Sequence, residues 1–173
     1  MDEQANVWEV ICDYLRNQII WTGVTFREEW NTVNIPQLLV MVDLGPTNEQ
    51  SLTLENFGSK GYSLAASMNF NLSVWANLMR YEGSSEGRKQ AKREVLALRG
   101  KVTQLFKSNH DNFIFLDLKE YVDEDGNLKT IPTDTGRKIK VEPIGDWVPV
   151  QEADKNFIHY SRFYRASWEA LFD

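Results

Sequence analysis

Over Tyr62–Leu78 the apolar residues fall on alternate positions. Leu64, Ala66, Met68, Phe70, Leu72, Val74, Ala76 and Leu78 share one parity, and Ser63, Ala65, Ser67, Asn69, Asn71, Ser73, Trp75 and Asn77 share the other. A period of two predicts a strand with one face in the core. At about 3.3 Å per residue such a strand would run roughly 50 Å. A compact domain with a gyration radius of about 16 Å is only about 40 Å across. The strand is therefore expected to bend, to carry a bulge, or to overhang and meet another chain. Between Lys60 and Arg80 there is no charged residue. The second face is nevertheless too polar for a core, so its Ser and Asn side chains fit an ordinary solvated face, a packed protein surface or a smooth lining. A membrane span is disfavoured, because those polar groups would lie unsatisfied in lipid.

After Gly83-Ser84-Ser85 the period changes. Ala91, Val95, Leu98, Val102 and Leu105 recur at steps of four and three and predict a helix over Glu86–Ser108. Burying the four larger side chains contributes roughly 6–12 kcal/mol gross, well above the about 1 kcal/mol that mid-helix Gly100 costs. Val7, Ile11, Tyr14, Leu15, Gln18 and Ile19 mark an earlier helix over about 2–20. A short strand is expected within Val24–Trp30 and another at Leu38–Leu44, followed by a long loop over 46–61. Phe113–Tyr121 reads as a strand, Asp123–Asn127 as a turn, and Thr130–Lys140 as a mobile excursion. Val141–Val150 is Pro-interrupted and edge-like, and Phe157–Phe172 is a second long strand. The order of elements predicts an α+β fold: a mixed or antiparallel β-sheet with two α-helices packed on one face, plus a projecting loop or hairpin at 123–140.

The length of 173 residues supports one domain over 1–173. A net charge of −6 argues against nucleic acid as a neutralised partner. Cys12 is the single cysteine, which excludes an internal disulfide and suits a reducing cytoplasm; it lies on a helix stripe and reads as a buried thiol. The N-terminus MDEQANVWEV is acidic and lacks the basic flank of a signal peptide.

No catalytic, cofactor or metal constellation is expected. Asp123-x-Asp125-Gly126-Asn127 with Asp134 imitates a calcium loop, but Leu128 stands where the sharp turn needs Gly. Asp117-x-Lys119 resembles half of a metal-dependent nuclease site, whose second carboxylate would have to be Asp111 or Glu120. His110 and His159 have no partners at metal-ligand spacing. Arg88, Lys89, Lys92 and Arg93 form a basic cluster on the second helix, either its solvated back or a docking patch for an acidic neighbour. Trp30, Trp75 and Trp147 lie off the core stripes, and such residues are enriched at interfaces. The expected interface residues are Asn69, Asn71, Ser73 and Trp75 on the long strand, Arg88 and Lys92 on the helix, and Lys129, Arg137 and Lys138 on the arm.

In the order of its elements the chain resembles the bacteriophage tail terminator family, also called tail completion or head-tail joining proteins. The resemblance rests on the helix VWEVICDYLRNQI, the extended NIPQLLVMVDLG, the strand SMNFNLSVWAN leading into helix EGRKQAKREVLALRGKVTQLF, and the closing strand NFIHYSRFYRASWEALF. It excludes roughly 46–61 and 123–140. It implies a non-enzymatic virion protein, made in the host cytoplasm, that forms a hexameric ring on the head-proximal end of the tail tube. Such a ring stops tube polymerisation and joins the tail to the head connector, with the sheath as a further neighbour in a contractile tail. DNA would pass through the channel without specific binding, which suits an acidic chain. The alternatives are a neck or head-completion protein, stopper or adaptor, and a small metal-dependent nuclease using Asp117 and Lys119.

Overall fold

The computed structural model describes residues 3–44, 51–56, 62–107, 114–133, 136–150 and 156–170. In chain order the elements are α1 (Glu3–Gln18), β1 (Val24–Arg27), β2 (Leu38–Leu44), β3 (Ser51–Asn56), β4 (Tyr62–Asn77), α2 (Ser85–Gln104), β5 (Ile114–Phe115), β6 (Leu118–Val122), β7 (Leu128–Pro132), β8 (Lys138–Val150) and β9 (Phe157–Glu169). The main sheet runs β1-β2-β4-β9-β8-β5, with β3 also paired to β4, while β6 and β7 form a separate hairpin. β1 lies parallel to β2 and the remaining pairs are antiparallel, so the sheet is mixed and the fold is α+β.

The length of β4 is absorbed within the chain. β9 pairs with it from Ala65 to Asn77. The opposite edge is shared, β2 taking Phe70–Ala76 and β3 taking Tyr62–Ser67. Most of the long strand is thus paired within the chain itself, along one edge over 65–77 and along the other over 62–67 and 70–76. The long loop expected over 46–61 is corrected at its centre, where 51–56 is strand. There Leu52 and Leu54 alternate with Ser51, Thr53 and Glu55, a strand pattern too short to stand out among polar neighbours. The flanking 46–50 and 57–61 lie outside the described residues.

Both helices pack on the even-numbered face of β4. Val7, Ile11 and Leu15 of α1 and Ala91, Val95, Leu98 and Val102 of α2 meet Ala66, Met68, Phe70, Leu72, Val74 and Ala76 in one buried cluster. Its centre is aromatic: Phe70 stacks on Tyr164 at 5.6 Å and meets Phe106 edge-on at 6.0 Å. The Tyr14 hydroxyl donates to the Leu105 carbonyl at 2.6 Å and ties α1 to the end of α2. Ser84 caps α2, its hydroxyl accepting from the Gly87 amide at 3.4 Å. Gly87 is required there, because a Cβ would lie 1.9 Å from the Glu82 carbonyl oxygen.

The opposite sheet face is open only in its middle, since Ala65, Ser67 and Ser167 are buried at one end and Ser73 and Trp75 toward the other. At that second end the segment after β1 folds back over the sheet. The Arg27 guanidinium holds it by donating to the carbonyls of Asn31, Val33 and Asn34 at 2.9 Å each. Ile35, Leu39, Met41 and Trp75 make a small second core under this flap, with Phe157 packed beside it. The Trp75 indole donates to the Ser73 hydroxyl at 2.8 Å. Further along the same face, β8 and β9 carry side chains that remain open to solvent.

One further expectation is corrected and one is given new bounds. Phe113–Tyr121 is not one strand: β5 ends at Phe115 and β6 starts at Leu118, with a bend at Leu116-Asp117. The projecting hairpin expected over 123–140 is present but spans 118–132, so that Thr130–Pro132 belong to its strand β7 while Lys138–Lys140 already begin β8 of the main sheet.

Candidate functional site

The β6–β7 hairpin stands off the domain as an arm. Leu118 to Val122 and Leu128 to Pro132 are all exposed. A two-stranded hairpin is marginal in water by itself, so the closure of its two ends matters. At the tip, Asp123 Oδ1 accepts from the amides of Asp125 at 3.0 Å and Asn127 at 2.8 Å, and its other oxygen pairs with Lys129 at 3.0 Å. These bonds, the Asn127 amide first, hold the Asp123 carboxyl below its usual range. Gly126 takes the positive φ of the turn, +82°. The tip is a self-satisfied turn, as its composition predicts.

At the root, the Thr133 amide donates to the Asp117 carbonyl at 2.9 Å and the Leu116 amide to the Arg137 carbonyl at 2.9 Å. Arg137, only 7% exposed, is the clamp. Its guanidinium grips Asp117 with two bonds, reaches Glu3 at the start of α1 at 2.5 Å, and donates to the Glu169 carbonyl at the end of β9 at 2.7 Å. The Asp117 hydrogen bonds push the Arg137 pKa further above its already high value. Bend, helix start and strand end are thereby joined through one planar cation, which fixes the direction of the arm.

The register gives the arm two unlike faces. Leu118 opposes Pro132, Glu120 opposes Thr130 and Val122 opposes Leu128, so one face is apolar with a single acid at its centre. Lys119 opposes Ile131 and Tyr121 opposes Lys129 on the other. Val122 and Leu128 are each 65% exposed.

A second exposed apolar surface lies on the open sheet face. Across β8 and β9, Val150 opposes His159, Val148 opposes Ser161, Ile144 opposes Phe163 and Glu142 opposes Arg165. Val148 is 58% and Phe163 42% exposed, and Ile144 and Val150 are also open. The register slips between Ile144 and Val148, and this bulge turns Trp147 to the helix side, where its indole donates to the Thr103 hydroxyl at 2.9 Å. Pro143, Pro149 and the bulge blunt β8 as a pairing edge, so contact here is by side chains on the face.

The expected interface residues separate on this framework. Trp75 and Ser73 are buried under the flap and carry an internal core, so their assignment to a subunit surface is corrected; Trp75 meets Trp30 edge-on at 5.4 Å and packs against His159 and Phe157. Asn69 and Asn71 are half-buried, and the Asn71 amide oxygen finds no hydrogen-bond partner among the described residues. Arg137 is likewise corrected from a partner-seeking arm residue to the internal clamp, because Asp117 and Glu3 surround it. Lys129 is tied to Asp123 at the tip, and Lys138 is exposed at the β5–β8 pairing. Arg88 and Lys92 are exposed on α2. Of the tryptophans suspected at interfaces, Trp30 is 47% exposed, whereas Trp75 and Trp147 pack internally.

The residues weighed for chemistry are placed as follows. Asp117 is held by Arg137 rather than by a second carboxylate and Lys119, and Lys119 is exposed on the arm. Among the described residues no three His, Cys, Asp or Glu side chains gather as a metal site. His159 is buried against Trp75, and burial lowers its pKa to about 4. Burial pushes the Cys12 thiol up to about 12, as a structural cysteine requires. His110, Asp111 and Asp134 lie outside the described residues.

Sequence reasoning missed the exposed Phe163, Val148 and Ile144 and the apolar arm face. Phe163 had a signal, since it stands at the polar parity of the closing strand, between Ser161 and Arg165. The chain matches no family model and no curated protein.

Proposed function

We propose that this chain is a structural assembly protein, a homo-oligomeric ring subunit that caps the head-proximal end of a phage tail tube. In this reading it stops tube growth, joins the tail to the head connector and has no enzymatic role. The family resemblance of the elements supplies the setting. The observation that carries the reading is a clamped arm with an apolar face, borne by a domain that exposes a second apolar surface on its sheet. Exposed apolar area of this kind marks association surfaces, and an arm whose root is fixed by Arg137 offers its face in a set direction. Acidic net charge suits a channel that lets DNA pass without adhering.

Electron microscopy of particles made without this protein tests the role. Overlong or irregular tails are expected for a terminator. DNA-filled heads without tails would assign the chain to the neck, as a stopper or adaptor, and normal particles would overturn both.

A further inference from the structure

We propose that the arm of one copy seats on the open sheet face of the next, Val122 and Leu128 lying over Phe163 and Ile144 with Glu120 against Arg165. The inference specifies the contact used by the proposed ring and rests on that reading for the existence of the ring. It starts from a match in pattern. On the arm, the apolar pair Val122–Leu128 is followed one row on by Glu120 opposite Thr130. On the sheet, the apolar pair Phe163–Ile144 is followed one row on by Arg165 opposite Glu142. A row on either surface is two residues along a strand, about 6.6 Å. Laying the apolar pairs together therefore carries Glu120 to the Arg165 row.

The charges are opposite and available. Glu142 pairs with Lys140 at 3.0 Å, but among the described residues neither Glu120 nor Arg165 has an ion-pair partner. A lone charge beside an apolar cluster fixes register and direction more than affinity. The arm does not reach its own sheet face, because Arg137 locks its root to α1 and to the end of β9 and every residue of its two strands stays exposed. A second copy supplies both missing surfaces at once.

Such a contact is heterologous: arm to sheet face, head to tail. Repetition closes a ring when the rotation allows it. The hairpin is about 17 Å long, so this contact alone falls short of the about 800 Å² per partner of a standard interface. Ring closure, in which each copy uses both of its surfaces, then raises the effective strength of every contact.

Sedimentation velocity of the full chain, wild type and variants, tests the proposal, with circular dichroism to confirm folding. Val122→Glu with Leu128→Glu, and separately Phe163→Glu, should each raise the concentration at which the oligomer dissociates by at least about tenfold. Since these residues are exposed in the subunit, the fold should persist; Val148→Asp serves as a second sheet variant. Glu120→Arg should weaken assembly, and adding Arg165→Glu to the same chain should restore it. An oligomer unaffected by the arm and sheet variants, or a charge reversal without rescue, overturns this contact while leaving the ring reading in place. A wild-type chain that stays monomeric overturns both.

Discussion

Arg137 holds Asp117 through two parallel hydrogen bonds, Nε to Oδ2 at 2.6 Å and Nη2 to Oδ1 at 2.8 Å, across twenty residues of chain that contain the whole arm. The pair closes the base of the hairpin where it leaves the domain, and the link to Glu3 carries that closure into α1. A Lys at this position keeps the charge but loses the fork. Arg137→Lys should therefore cost about 1–2 kcal/mol, and Arg137→Leu about 3 kcal/mol by stranding two partly buried carboxylates. Hydrogen exchange should show faster exchange at the Thr133 and Leu116 amides in both variants. Unchanged exchange there would mean that the root is held by the backbone alone.

The buried imidazole of His159 makes stability depend on acid. Its folded pKa of about 4 lies below the ordinary value of 6.5, so between those values the unfolded chain binds the proton and the folded chain does not. This contribution is complete above pH 6.5 and is lost as the pH falls toward 4, amounting to about 3 kcal/mol at most. Urea unfolding at pH 7 and pH 4.5 should give a larger drop for wild type than for His159→Phe. Parallel losses in the two proteins would remove His159 as the cause.

One substitution made at two places in α2 should have opposite effects. Gly100 has open space around its Cα, so Gly100→Ala should raise stability by about 1 kcal/mol through helix propensity. At Gly87 the added methyl would strike the Glu82 backbone, and Gly87→Ala should cost about 3 kcal/mol, because the helix start or the preceding turn must move. Thermal unfolding of the two variants checks the sign. Equal shifts would show that the Glu82–Gly87 approach is not held tightly.

The parts of the fold written in long periodic runs are legible in the sequence. The even face of β4, the stripe Ala91–Val95–Leu98–Val102, strand β2 and the closing strand β9 lie as their periods predict. The polar odd face of β4 misled, because its end is covered by a flap whose anchor, Arg27 with three carbonyls, leaves no periodic trace. Basic residues between 129 and 140 read alike in a row of letters. Only the geometry separates Arg137, buried and bidentate, from Lys129 at an exposed tip. The apolar face of the arm was hidden because Val122 and Leu128 are six positions apart in sequence and meet only through strand pairing.

A ring built in the proposed way depends on the arm of every copy. The most direct measurement is the mass and negative-stain image of the purified full chain beside a variant in which Lys119–Ile131 is replaced by a short Asn-Gly turn joining Leu118 to Pro132. That change keeps Asp117, Thr133 and Arg137 in place. Closed rings are expected for the wild type and a folded monomer for the variant. A monomeric wild type, or rings that persist without the arm, would contradict assembly through the arm.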